Sequence, residues 1–212
     1  NSYEVEVKGP RDSYFSLAGV ITPTGSNFVQ YNDAAIYPEL GAYQYVVNLI
    51  DSCGNVGDVS NVVRTIFLEV DVDHVGLQNV LSWSAYEGFD GNIVEYRVYR
   101  GENGVFPSTP IATTLGAVRS FVDDVSGFMS SEGQFCYRVE AIESMNSHGF
   151  SESAFSNTVC ATIDPIVYIP NAFFVNGDNP VFLPIVSLYE FDSYRLDIYN
   201  RWGEAIHSTT DR

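Results

Sequence analysis

An all-β fold, built as tandem antiparallel sandwiches with a smaller β unit behind them, is what this sequence predicts. Three observations carry the prediction. Residues are 45% hydrophobic and 14% aromatic but only 17% charged, a mixture suited to half-buried pleated strands. Short runs of alternating polarity are broken by Gly, Pro, Asn and Asp, and no stretch has the period of an amphipathic helix. The chain also repeats itself.

The repeat is read from three pairs of segments. Tyr3 to Gly9 (YEVEVKG) resembles Tyr96 to Gly101 (YRVYRG). Further on, Tyr45 to Ser52 (YVVNLIDS) matches Tyr137 to Ser144 (YRVEAIES), and Ser60 to Arg64 (SNVVR) matches Ser156 to Cys160 (SNTVC). Order and spacing are kept, so the period is about 90 residues. Domains are expected at 1–66, 67–163 and 164–212.

In the second repeat, strands are expected at 67–73, 78–85, 93–100, 110–115, 120–124, 134–143 and 153–162. So many short strands in one span indicate an antiparallel sandwich. Trp83, in VLSW, should point inward from the second strand, and Tyr137, in CYRVEAIE, from the sixth. The early Trp, the EYRVYRG strand and the Y-x-V-x-A strand followed by SN together resemble a fibronectin type III module, a sandwich of the immunoglobulin-like class. The resemblance covers 67–163, and in the first repeat it starts only at the third strand. Residues 1–66 are therefore expected to form a partial sandwich whose first strands lie outside the sequence. Trp83, Tyr96, Tyr99 and Tyr137 are read as core and sheet-face residues. Aromatic platforms that stack sugars also occur on sandwiches, and sequence alone leaves that reading open.

Aligning the repeats sets Cys136 opposite Gln44 and Cys160 opposite Arg64. Both cysteines are present in one repeat and absent from the other, as a bonded pair would be. They fall on the sixth and seventh expected strands, which are antiparallel neighbours in this fold, and this predicts a Cys136–Cys160 disulfide. Such a bond implies an oxidising compartment. Cys53 lies in a turn, DSCGN. Neither a histidine nor an electropositive setting is suggested beside it, so it is not read as catalytic.

Charge and motifs exclude several functions. The net charge is -17, with ten scattered basic residues; a nucleic-acid groove needs clustered cations, and an anionic membrane face would repel such a surface. Asp71-Val72-Asp73 and Asp123-Asp124 are candidates for Ca²⁺, but EF-hand spacing is lacking and the clusters read first as solvated surface. No other cofactor is indicated. No apolar run reaches the roughly 18 residues of a membrane helix. His74, His148 and His207 lie in separate segments without zinc-ligand spacing, and no nucleophile elbow, phosphate loop or His-Glu-x-x-His helix occurs. The chain is expected to be non-catalytic.

After Ile163 the pattern changes. YIPNAF (168–173), NGD (176–178), VFLPI (181–185) and IYNRWGE (198–204) follow in this order. They resemble the start of the gliding-motility-associated C-terminal domain, the type B sorting signal of the type IX secretion system. Phe174-Val175 stand where that family carries Thr-Pro, the Gly-Ile-Asn-Asp that follows there is missing, and the family continues past this hairpin with further strands. The resemblance implies a secreted or cell-surface protein that crosses the outer membrane through the type IX translocon. It implies engagement of a PorP/SprF-like outer-membrane barrel, without membrane insertion of this chain. Asn171, Phe173, Asn200, Arg201, Trp202 and Gly203 are the partner-binding residues it suggests. Trp and Arg are frequent interface anchors, and an open sheet edge invites strand addition; a plain hairpin with Trp202 packed on its own sheet is the alternative. Three functions stay open: the stalk and export tail of an adhesin, the spacer and sorting tail of a secreted enzyme, and a glycan-binding sandwich.

Overall fold

A computed structural model describes residues 1–23, 25, 29–101, 104–128, 133–164, 167–170, 176, 182, 184–186 and 193–210. The protein divides into two compact units. One comprises Asn1–Asp71, Val80–Asp123 and Phe135–Ala161, and the other Val72–Asn79, Asp124–Gln134 and Thr162–Arg212. Both repeats lie mainly in the first. The fold is nearly all β; among the described residues the one helical turn is a 3-10 segment, Pro38–Leu40.

The first repeat forms a single antiparallel sheet from β1 (Ser2–Lys8), β2 (Ser16–Ile21), β3 (Gln44–Ile50), β4 (Val56–Val59) and β5 (Val63–Arg64). Its order is β2-β1-β3-β4, with β5 also paired to β3. The second repeat has two sheets. Its strands are β6 (Leu68–Asp73), β7 (Gln78–Trp83), β8 (Ile93–Gly101), β9 (Ala112–Leu115), β10 (Ser120–Asp124), β11 (Gln134–Glu143), β12 (Ser153–Phe155) and β13 (Val159–Thr162). One sheet has the order β10-β7-β6 and the other β12-β11-β8-β9, with β13 also on β11. Strand for strand, β2-β1-β3-β4/β5 repeats β9-β8-β11-β12/β13.

The expected last strand, 153–162, is broken in two. Ser156 leaves the ladder because its hydroxyl does a carbonyl's work: Val139 N–H donates to Ser156 Oγ at 2.9 Å, and Ser156 Oγ donates to the Asn157 carbonyl at 2.7 Å. The first repeat does the same. Val47 N–H donates to Ser60 Oγ at 2.9 Å, and Ser60 Oγ to the Asn61 carbonyl at 2.8 Å. The Ser-Asn of both repeats is thus a built-in strand break, since a hydroxyl competes with the backbone for ladder bonds.

Alternation sorts the second repeat's core. Leu68, Leu81 and Trp83 come from one sheet and Tyr96, Val98, Tyr137 and Val139 from the other, none more than 5% exposed. The Trp83 and Tyr96 rings meet edge-on, centroids 5.6 Å apart, a favoured aromatic geometry. Into this apolar layer the sequence also places a charge pair. Arg100 Nη1 on β8 donates to both carboxylate oxygens of Asp123 on β10, at 2.9 and 2.8 Å. The Tyr137 hydroxyl on β11 donates to Asp123 Oδ2 at 2.7 Å. Asp123 therefore ties its own sheet to both central strands of the other.

The first repeat carries the same clasp without the cation. Tyr45, aligned with Tyr137, donates its hydroxyl to Asp33 Oδ2 at 3.2 Å. Asp33 sits on a strap at 29–36 that crosses the sheet where β10 lies in the second repeat, and Val7 stands at the Arg100 position. Tyr31 seats the strap: its hydroxyl donates to the Ala18 carbonyl at 2.6 Å. Its ring lies over Gly19, where an added Cβ would meet it at 2.5 Å. Burial first, and then the Asp33 carboxylate, pushes the Tyr45 phenol well above its ordinary value.

Between the repeats there is almost no linker. β5 ends at Arg64 and β6 begins at Leu68. Arg64 and Glu87 exchange backbone bonds, N–H to O at 2.6 and 3.1 Å, and their side chains form an ion pair at 3.6 Å. The Asn61 amide donates to the Gly88 carbonyl at 3.0 Å. In the last fifty residues the described strands are β14 (Val167–Tyr168) paired with β15 (Ile185–Val186), and β16 (Leu196–Tyr199) paired with β17 (Ala205–Thr209).

The two clasps differ in what their loss exposes. Asp123→Ala removes the carboxylate that takes both Arg100 Nη1 and the Tyr137 hydroxyl, so it should cost about 3–5 kcal/mol of second-repeat stability. Asp33→Ala removes a half-exposed carboxylate that accepts from the Tyr45 hydroxyl and the Ala35 N–H, and should cost only about 1–2 kcal/mol. Urea unfolding of both variants checks the contrast. For Tyr45 the folded pKa is the higher one, so its contribution is full below about pH 10 and is lost as pH rises through the raised value. Asp33→Asn should lower the Tyr45 value in an ultraviolet titration but leave it above that of an ordinary tyrosine, because burial, the larger cause, remains.

Candidate functional site

Among the described residues, the contact residues that the sequence nominates converge at the hairpin tip between β16 and β17. Its backbone turns because Asn200 and Gly203 make it turn. Gly203 N–H donates to the Asn200 carbonyl at 3.0 Å, and Asn200 N–H to the Glu204 carbonyl at 2.9 Å. Gly203 has φ of 85°, a left-handed conformation that glycine adopts without strain. The register shifts at this end of the ladder, where Tyr199 pairs with Ala205, as in a three-residue hairpin with a glycine bulge. The Asn200 side chain locks the turn from inside. Its Oδ1 accepts from Trp202 N–H and Glu204 N–H, both at 3.0 Å, and its Nδ2 donates to Glu204 Oε2 at 3.1 Å.

That division of labour leaves two side chains outside the turn. Trp202 is 76% exposed, so it is not packed on its own sheet. A ring at the apex of so tight a bend projects beyond the short sheet. Its neighbour is Arg201, whose guanidinium stacks over the indole at 4.3 Å. Together they form a preassembled cation–aromatic pair, held outward by Asn200, Gly203 and Glu204. Asn171 and Phe173, the other nominated contact residues, lie outside the described residues.

The other candidate residues have structural employment. Cys136 on β11 and Cys160 on β13, two strands paired in one sheet, form a disulfide. Cys53 is exposed in a turn organised by Asp51, whose carboxylate accepts from Cys53 N–H at 2.8 Å and Asn55 N–H at 2.9 Å. Bonds from Asn55 chiefly hold the Asp51 pKa below its ordinary value. The acidic clusters serve in the same way: Asp73 Oδ1 accepts from Val75 and Gly76 N–H, Asp124 from Ser126 N–H, and Asp123 is taken by Arg100. Among the described residues no three His, Cys, Asp or Glu side chains come together as a metal set.

Burial also removes the aromatic platform. Trp83 and Tyr99 are 5 and 6% exposed, and Tyr96 and Tyr137 are fully buried, so none presents a ring face to a sugar. Tyr99 is covered by Arg138, whose guanidinium lies 5.3 Å from its ring and 4.6 Å from those of Phe106 and Phe155. Sequence reasoning missed this stack, and it missed the Tyr–Asp clasps. The signal for the clasps was present as an aromatic two residues before each aspartate, Tyr31-Asn32-Asp33 against Phe121-Val122-Asp123. It also missed Glu143. This buried carboxylate accepts from Gly91 N–H at 2.6 Å and Glu152 N–H at 3.0 Å, binding two loops at one end of the second sandwich.

No family model matches the chain, and no curated protein matches it. Among solved structures, the chain is similar to a tetra-tandem repeat in the extending region of a large adhesion protein, at 14% identity and a TM-score of 0.34. The match covers 99% of this chain and 55% of that one.

The disulfide and the free thiol make separable predictions. Thiol titration of the native protein should find Cys53 alone, and reduction should release the other two. Replacing Cys136 and Cys160 together by serine should cost the second repeat about 3 kcal/mol of stability, read by denaturant unfolding.

Proposed function

We propose that the chain is the non-catalytic stalk and export tail of a cell-surface adhesin, sent across the outer membrane by the type IX secretion system. The observation that carries the reading is the tip of the β16–β17 hairpin. Asn200, Gly203 and Glu204 spend their chemistry on the turn, while Arg201 and Trp202 form a stacked, exposed pair with no packing role within the hairpin. Tryptophan and arginine are among the side chains most enriched at interface hot spots, so a preassembled pair of them at a rigid tip suits a surface that a partner covers. In this reading the cover is the translocon and then a PorP/SprF-like barrel, which holds the exported protein at the surface.

The remainder of the chain suits a stalk. Two sandwich-type repeats joined through reciprocal Arg64–Glu87 backbone bonds resist hinge bending better than repeats on a flexible linker. The disulfide fits an oxidising, extracytoplasmic setting. A net charge of -17 keeps neighbouring stalks apart in solution.

The test is a secreted reporter that carries this chain, with whatever natural sequence follows it, in a type IX-competent cell. The reporter should reach the surface, and a reporter held in the periplasm contradicts the proposal. Trp202→Ala should leave stability unchanged within about 0.5 kcal/mol, as for an exposed side chain. It should also weaken surface retention by about 30-fold, the loss of one interface anchor worth about 2 kcal/mol. Asn200→Ala should instead lower the stability of the hairpin itself. Equal surface retention for Trp202→Ala would reduce the tip to a turn.

A further inference from the structure

Both repeats build one acid–tyrosine group, and they complete it differently. In the second, Asp123 takes the Tyr137 hydroxyl together with a guanidinium, Arg100 Nη1 lying 2.9 and 2.8 Å from its two oxygens. That guanidinium comes from β8, where Arg100 pairs with Tyr137 of β11. In the first, Val7 pairs with Tyr45 at the same point of the ladder, so an isopropyl group stands where the arginine stem would begin. Asp33 still takes the Tyr45 hydroxyl, at 3.2 Å, and it takes the Ala35 N–H at 3.1 Å. Among the described residues no cation pairs with it: the ion pairs there are Arg64–Glu87, Arg97–Glu95, Arg100–Asp123 and Arg195–Asp197. A carboxylate offers about four lone-pair sites, so Asp33 keeps capacity for a forked guanidinium.

The space beside Asp33 suits that group. Tyr3, Tyr31, Tyr45, Val5 and Val47 line an open trough of about 430 Å³ with it, a volume in the range of small-ligand sites. The strap at 29–36 forms one wall, through Tyr31 and Asp33, and the β1–β3 face forms the other. Among the lining residues only Asp33 is charged. Three tyrosines around one carboxylate make a setting for a cation. Aromatic faces attract positive charge, a planar guanidinium stacks on them, and a carboxylate takes guanidinium N–H groups in pairs. The valines suit an alkyl stem. A net charge of -17 repels a second copy of the chain and draws a basic partner.

We infer that the trough receives an arginine side chain of a basic partner polypeptide, with its guanidinium on the Asp33 carboxylate and its stem among Tyr3, Tyr31 and Tyr45. The first repeat thus takes from a partner what the second takes from its own β8. This inference rests on the internal repeat and is independent of the export reading.

The test titrates the isotope-labelled 212-residue chain with a capped Gly-Arg-Gly peptide and follows amide and ring shifts by nuclear magnetic resonance. Saturable shifts are expected at Tyr3, Tyr31, Asp33 and Tyr45. The same peptide with citrulline for arginine keeps the shape without the charge, and it should bind about tenfold more weakly or worse. Asp33→Asn keeps an acceptor for the Tyr45 hydroxyl and should weaken the arginine peptide by a similar factor. Val7→Arg supplies the guanidinium in cis, as β8 does in the second repeat, and should abolish the shifts. Butylguanidine, which has the stem and the charge without a peptide, should bind no more tightly than the arginine peptide. Equal binding of the citrulline peptide, or unchanged binding in Asp33→Asn, overturns the inference, because the trough would then be selecting apolar surface alone. The absence of saturable shifts at the three tyrosines overturns it outright. Tighter binding of butylguanidine overturns the polypeptide as the source of the cation.

Discussion

A carboxylate buried against a tyrosine hydroxyl is the constraint around which both repeats are organised. The tyrosine stands on the central strand of the large sheet, and the aspartate stands on the segment that crosses over it. The bond fixes which residue of the crossing segment faces inward, and hence the register of everything that follows. In the second repeat Arg100 completes the group, and the charge costs little because every partner is satisfied by another. In the first repeat Val7 takes the place of the arginine, and Asp33 depends on Tyr45, on the Ala35 N–H and on access to water. The same geometry is thus run in two electrostatic versions, one sealed and one open.

From this constraint follows the behaviour of the joined pair. Ser60 and Ser156 end their strands by the same hydroxyl substitution, and the asparagine after each reaches out to neighbouring backbone. Asn157 closes its own sandwich on Leu68. Asn61 reaches Gly88 of the next repeat, beside the Arg64–Glu87 bridge. One short motif therefore closes a module in one copy and couples modules in the other. That is a compact way to build a stiff tandem without a dedicated linker.

Much of this architecture was legible in the sequence because strands advertise themselves by period. The first six strands of the second repeat, the inward Trp83 and Tyr137, and the Cys136–Cys160 bond all follow from alternation and from aligning the repeats. Ser156 was misread because a serine in an alternating run looks like one more outward residue. Its effect depends on a hydroxyl reaching Val139, which no period encodes. The clasp escaped for a similar reason: Asp123 read as acidic surface and Asp33 drew no reading, and the role of each depends on a partner fourteen and twelve residues away in the chain. At the tip, the turn of Asn200 and Gly203 was legible. The exposure of Trp202 was not, since alternation cannot say how far a ring projects beyond a short sheet.

Among the described residues, the hairpin tip and the β1–β3 face are two surfaces that packing leaves open, and they differ in kind. The tip is small and rigid. The face is broad and apolar, roofed in part by the strap at 29–36. Native-state hydrogen exchange on the 212-residue chain tests the account most directly, because it compares two sheets of one topology within one molecule. The account predicts that β8 and β11 amides exchange only through global opening, while β1 and β3 amides exchange through a cheaper local opening and at least tenfold faster. Equal protection of the two pairs of strands would contradict it.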